Sequence, residues 1–368
     1  MFRGVFALAA AVTVLAAVPA SADEVTGPVD LGTLPGGLTS YGLRVTNHGV
    51  VFGEAYDKAF DVHGARWDAA GRISELRPLD GYDTVKAVAI NEAGVAVGDS
   101  SNHVLTGRAT RWDASGVPVE LEQPTWFPGY AWSEPVAINE RGMVAGNAYG
   151  APGPDSAVRW DAEGRVTELG LGRVRAMNEA GAVVGWNSGT PRYWDPAGNL
   201  VEMTGASVLN DLDDAGTAVG ASGFHAAKWD SAGHLTVLDT TWESSEALAI
   251  TADGTVFGEV SAKGGATRVA RWDPAGGLTV LPTPDGAASR FTAVSRTGVA
   301  LGELDWRTPV VWDATGRLSV LPLPPVEDAA CHGYGVTDWA VTGSCSVPSG
   351  NSHAVLWKLT EPVGSRAR

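Results

Sequence analysis

Over residues 28–358 the apolar positions come in short alternating runs, such as Leu278-Thr279-Val280-Leu281, and every run is broken within a few residues by Gly, Asp or Arg. A period of two over so few residues predicts half-buried strands rather than helices. The breaks themselves recur. An apolar residue, a short polar turn and then Gly-x-x-x-Gly, as in Ile90-Asn91-Glu92-Ala93-Gly94-Val95-Ala96-Val97-Gly98, ends in eight copies at Gly53, Gly98, Gly146, Gly185, Gly220, Gly258, Gly302 and Gly343, the last of which has lost its first Gly. A Trp-Asp pair follows each of the first seven, at Trp67, Trp112, Trp160, Trp194, Trp229, Trp272 and Trp312, and Trp357-Lys358 is a degenerate eighth. Two independent markers therefore count the same eight units.

Each unit reads as four short strands. Strand A precedes the polar turn (Ala87 to Ile90), strand B follows its Gly (Val95 to Val97), strand C ends at the Trp, and strand D is the alternation after it. Asp195-Pro196-Ala197-Gly198 and Asp273-Pro274-Ala275-Gly276 place Asp first, Pro second and Gly fourth, the residues of a type I turn closed by a left-handed Gly in a hairpin. Eight antiparallel four-stranded units predict an all-β, eight-bladed β-propeller. The alternative is a seven-bladed ring with one irregular insertion, because two Trp-to-Trp intervals are only 34 and 35 residues. The last unit lacks a strand D, whereas residues 28–37 look like an orphan one. The N-terminal strand is thus expected to close the ring, which leaves no exposed edge.

Composition agrees: 47 Gly and 21 Pro in 368 residues exclude a helical bundle, and 44% apolar residues exclude a disordered chain. Residues 1–22 read as a secretory signal, with Arg3, the apolar run Val5 to Val18 and the small-residue cleavage site Ala20-Ser21-Ala22. The expected organisation is a signal peptide at 1–22, one propeller domain at 23–360 and a polar tail at 361–368, exported and without a membrane anchor once cleaved. Without Arg3 the chain has 25 basic against 42 acidic side chains, a net charge of −17. Five scattered Lys and single Arg residues do not make the clustered basic surface that a nucleic acid requires. Cys331 and Cys345, the two cysteines, are expected to form a disulfide between strands A and B of the last blade. Neither a cofactor nor a metal site is read from the sequence, and a monomer is expected.

The segments Asp30-Leu31-Gly32-Thr33-Leu34-Pro35-Gly36-Gly37, His225-Ala226-Ala227-Lys228-Trp229 and His353-Ala354-Val355-Leu356-Trp357 resemble the bacterial extracellular HAF-repeat family over roughly residues 28–358. The His-Ala-Phe triplet is intact nowhere; His63, His225 and His353 keep the His four positions before the Trp. The resemblance implies a secreted repeat protein and carries no catalytic residues with it. The Trp-Asp pairs are also similar to intracellular WD repeats, but the upstream Gly-His of those repeats is missing.

Comparison of the units shows where function has room. The A–B and C–D connections are short and uniform, while the B–C and D–A connections vary: the strand B Gly and the strand C Trp lie 14 residues apart in five units and 9 or 10 in three. The variable loops are expected on one face, around the mouth of the central channel. Five of the six Trp outside the repeat position fall in them. Trp126, Phe127, Tyr130, Trp132, Trp186, Trp242 and Trp306 are the candidate ligand-binding residues, for a glycan or a protein surface. The competing expectation is a small satellite core. Acidic candidates for an alternative glycosidase or lyase are Asp57, Asp61, Asp83, Glu134, Glu243, Glu246, Glu303 and Asp305, but separated loops do not show which converge, and no catalytic residue is assigned. The three repeat His are expected to bond backbone, and Asp211 to Gly216 to form a plain turn rather than a calcium loop.

Overall fold

A computed structural model describes residues 13–14, 25–102, 107–124, 131–150 and 155–359. The predicted signal, apart from Thr13–Val14, and the tail at 361–368 lie outside these, as do Trp126, Phe127 and Tyr130. The described chain forms eight antiparallel four-stranded blades, each hydrogen-bonded in the order A-B-C-D; Thr13–Val14 lies parallel to the outer strand Leu278–Val280 of the sixth. Blades 1 to 7 span residues 39–75, 84–120, 131–171, 173–201, 208–237, 244–280 and 289–320. Blade 8 takes strands A to C from Cys331–Val336, Ala340–Ser346 and Ser352–Leu359, and its strand D from Val25–Gly32. Eight blades, not seven, make the ring, because the two short units lose only loop length and keep all four strands.

The repeated residues explain themselves. All eight strand C Trp are at most 1% exposed, and each fills the layer between two blades. Six of them also donate the indole N–H to a carbonyl at the end of the preceding strand D, as Trp112 does to Arg77 at 2.7 Å. For Trp67 that carbonyl belongs to Leu31, 2.9 Å away, so the N-terminal strand is held by blade 1 as well as by blade 8. The Asp after the Trp caps the C–D turn: Asp68 Oδ1 accepts from the N–H of Ala70 and Arg72, both at 2.9 Å. Glycines 198 and 276 close their turns with φ of +87° and +93°, as the Asp-Pro-x-Gly spacing predicts.

The Gly of strand B has a different cause. In every blade strand A carries a one-residue bulge facing it, for example between Gly42 and Arg44, which pushes a carbonyl against that Gly. A Cβ on Gly258 would lie 1.9 Å from the Glu246 carbonyl oxygen, and on Gly343 1.9 Å from that of His332. No larger residue fits there. The free N–H that the bulge creates is often met by the residue after the same Gly in the preceding blade, as Asn147 Oδ1 accepts from Val174 at 2.8 Å. Cys331 and Cys345 are paired residues of strands A and B in blade 8 and are joined as a disulfide. No described helix is long and apolar enough to cross a membrane.

Candidate functional site on the variable-loop face

The face formed by the A–B and C–D turns is occupied with its own bonding. In blades 2 to 5 the carboxylate of the A–B turn accepts from the turn of the preceding blade: Glu92 from the Asn47 N–H at 2.8 Å, Glu140 from Glu92 at 3.1 Å, Glu179 from Glu140 at 3.1 Å and Asp214 from Glu179 at 3.1 Å. In five blades a basic residue before the Trp reaches the next blade's C–D turn, as Arg111 does to Ala162 at 2.5 Å. A cavity of about 360 Å³ in the channel opens on this face, between Asn139, Asn178, Glu179, Asp211 and Arg296. The sequence placed the ligand mouth only on the other face. Asp211 is half-buried there, and desolvation pushes its carboxyl up to about 6, while it accepts from the Ile250 N–H at 3.0 Å. Asp213 accepts from Thr217 at 2.8 Å, so these acids serve the turn.

The opposite face, formed by the B–C and D–A connections, carries the described Trp candidates, on separate blades. Trp132 and Trp186 belong to strands, Ala131–Ile138 and Val183–Asn187, rather than to loops. They still reach this face because they sit at strand ends paired with Tyr149 and Arg173. Trp132 is 40% exposed, and its ring lies 5.2 Å from that of Tyr149. The Arg173 guanidinium lies 5.0 Å from the Tyr149 ring and bonds Asp155 at 2.6 Å, while the Tyr149 hydroxyl donates to Glu134. Burial and that carboxylate raise the Tyr149 pKa well above the usual phenol value. Trp186, 39% exposed, walls a groove of about 240 Å³ with Arg175, Pro191, Val208 and Leu209. Trp242 takes the satellite-core role instead. It packs against the apolar layer between blades 5 and 6, in a loop held by Asp239 through the Thr241 N–H at 3.0 Å.

Trp306 and Phe60 are the two described aromatic residues exposed in left-handed B–C turns, Phe60 in blade 1 at φ +66° and 78% exposed. Trp306 occupies a B–C turn with φ +60°, beside Asp305 at φ +50°, and is 66% exposed. Bulky side chains rarely adopt this left-handed backbone, and the comparable turn in blade 4 uses Ser188-Gly189. The Arg290 guanidinium lies 4.2 Å from the Trp306 ring centroid. The two belong to a cleft of about 360 Å³ between blades 6 and 7, shared with Glu259, Thr267, Glu303 and Asp305. Glu259 accepts from the Phe291 N–H at 2.8 Å and Glu303 meets His332 Nδ1 at 2.9 Å. Burial raises the Glu259 pKa, with Arg290 pulling it back.

Of the acidic candidates, only Glu303 and Asp305 share this cleft, and Glu303 lies on strand Ala300–Leu304, not in a loop. Glu134 and Glu246 lie on strand A of blades 3 and 6, where Glu246 accepts from Asn210 at 2.8 Å. Among the described residues no three His, Cys, Asp or Glu gather as metal donors. The repeat His do not bond backbone as expected: His63 pairs with Glu75 at 2.8 Å and His353 with Asp30 at 3.0 Å, each across to strand D of its own blade, while His225 Nδ1 is buried without a partner. Sequence reasoning missed Glu259 and Arg290. The available signal was the position after the strand B Gly, where Glu54, Asp99, Asn147, Glu259 and Glu303 recur.

No family model and no curated protein matches the sequence. Solved structures match in shape. A puromycin hydrolase aligns with 93% of this chain at a TM-score of 0.53 and 17% identity, and the chain spans 61% of that protein's length. Virginiamycin B lyase from Staphylococcus aureus aligns with 90% of this chain and 99% of its own at a TM-score of 0.50 and 15% identity. A prolyl endopeptidase reaches a TM-score of 0.57 at 11% identity, over 84% of this chain and 54% of its own. The likeness is one of fold. At these identities the matches speak for a propeller module and for nothing about its chemistry.

Proposed function

We propose that this chain is an extracellular binding module of the HAF-repeat type that captures a glycan or a protein surface on its variable-loop face. The observation that carries the reading is Trp306: a large aromatic ring kept two-thirds exposed, in a backbone conformation that costs on the order of 1 kcal/mol or more for a non-Gly residue. Among the described residues the Arg290 contact at 4.2 Å is the one packing return for that strain, and an aromatic face held ready for a partner accounts for the exposure that remains. Trp132 and Trp186 on the same face support it.

The test is capture of immobilised cell-wall glycans and of extracellular proteins by the secreted chain, compared with Trp132→Ala, Trp186→Ala and Trp306→Ala. Binding that falls at least tenfold in one or more variants at unchanged melting temperature is expected; binding to no probe, or binding indifferent to all three, overturns the reading. Release of new reducing ends from a bound glycan turns it toward the glycosidase alternative. Export is tested separately, by N-terminal sequencing of the secreted protein, with Asp23 expected as the first residue.

A further inference from the structure

We infer that the cleft between blades 6 and 7 is a subsite for one neutral pyranose ring. This deepens the binding-module reading and rests on it. Three features of the cleft set the ligand chemistry. Its volume of about 360 Å³ lies near the low end of small-molecule sites, roughly 300–1,000 Å³, which suits a single ring-sized unit rather than a long apolar chain. One wall is Trp306, which Arg290 holds from 4.2 Å while most of the residue stays open, and the apolar C–H face of a sugar stacks on such a ring. The remaining walls are polar and mixed in kind: Glu259, Glu303 and Asp305 accept hydrogen bonds, Arg290 donates them and Thr267 does both.

The carboxylates are partly committed. Glu259 Oε1 takes the Phe291 N–H and Glu303 Oε1 takes His332, which fixes each side chain and leaves its second oxygen for a hydroxyl. Neighbouring hydroxyls of a pyranose, each donor and acceptor at once, match acceptors and an Arg fork lining one cleft. Charge decides against acidic sugars. Three carboxylates face one guanidinium that already lies against an aromatic ring, so a uronic or sulfated unit meets like charge and is rejected.

The experiment uses the full secreted chain in calorimetric titrations with three probes at pH 7.5: neutral hexose hexamers (β-glucan and mannan types), glucosamine hexamer and galacturonate hexamer. Neutral hexamers are expected to bind at least tenfold more tightly than galacturonate. Trp306→Ala and Trp306→Gly should each weaken them at least tenfold, the Gly variant serving as the control that keeps the turn relaxed. Asp305→Asn should narrow the discrimination against galacturonate. Tighter binding of galacturonate overturns the inference, as does tenfold tighter binding of glucosamine hexamer. Neutral binding lost on Trp132→Ala and untouched by Trp306→Gly also overturns it, yet leaves the module reading in place with its site elsewhere. Binding of no glycan by a chain that still captures a protein through this face has the same effect.

Discussion

The two faces of the ring are built from the same eight units and use their residues differently. On the turn face the Glu92, Glu140, Glu179 and Asp214 carboxylates bond from blade to blade, and basic residues of strand C do likewise in five blades. Polar side chains there are consumed by closing the ring. On the variable-loop face strand ends carry Trp132 and Trp186 and a B–C turn carries Trp306, large apolar groups left facing water. A repeat protein can differ from unit to unit only where its neighbours do not depend on the residue, so variation has room on the second face and little on the first.

Breaking the shared scaffold should have the largest effect. Gly258→Val sets a side chain against the Glu246 carbonyl, where even a Cβ would be 1.9 Å away, and is expected to cost on the order of 4 kcal/mol or more, read as loss of soluble expression or of the cooperative thermal transition. Removing the disulfide with Cys331→Ser and Cys345→Ser opens a loop with a sequence separation of 14, and about 3 kcal/mol should be lost in chemical denaturation. That bridge ties the strand A end of blade 8 on the variable face, and its loss should leave the turn-face bonding intact.

The third test is a pH series. Asp99, 4% exposed on strand B of blade 2, has its carboxyl pushed up to about 6 by burial, with Lys86 pulling down and Glu134 and Glu54 pushing up. An unfolded Asp titrates near 4, so between roughly pH 4 and 6 the folded chain holds the extra proton. Stability from this group therefore falls as pH rises through that window, and the deficit is complete above it. Asp99→Asn should remove the dependence and raise the unfolding free energy at pH 7.5 by about 1–3 kcal/mol, unlike the wild type when both are melted at pH 4.5 and 7.5. The smallest effects contrast the faces directly. Asp313→Ala on the turn face frees the Thr315 and Arg317 N–H groups it accepts from at 2.8 and 3.0 Å and should cost about 1 kcal/mol. Trp306→Gly on the other face should change stability by less than that, or raise it, because the φ of +60° suits Gly. A loss from Trp306→Gly as large as that from Asp313→Ala would make the ring a structural group and erase the difference between the faces.

Much of the scaffold was legible because its causes are local and repeat. The Trp, the turn Asp and the paired Gly recur at fixed offsets, and the orphan residues 28–37 marked the strand that closes the ring. The partnership of Trp67 with Leu31 follows from that closure. The candidate site was legible in part: Trp306, Glu303 and Asp305 were singled out, but Glu259 and Arg290 were not, since they come from neighbouring strands of two blades. The Trp242 ring was read as a binding candidate and lies half-buried against the layer between blades 5 and 6, a contact that depends on the neighbouring blade and not on its own loop.

The sequence by itself determined the eight-fold repeat, the four-strand unit, the closure and the cysteine pairing, since each rests on spacing within one or two units or on a missing partner, while the structure decided for eight blades over seven. Only the tertiary structure decided that the strand B Gly yields to a bulged carbonyl, that the turn-face acids belong to the scaffold, and that one cleft gathers Glu259, Arg290, Glu303 and Trp306. Those facts depend on distances between blades, and a ring brings together residues from separate units whose contact no spacing along the chain records.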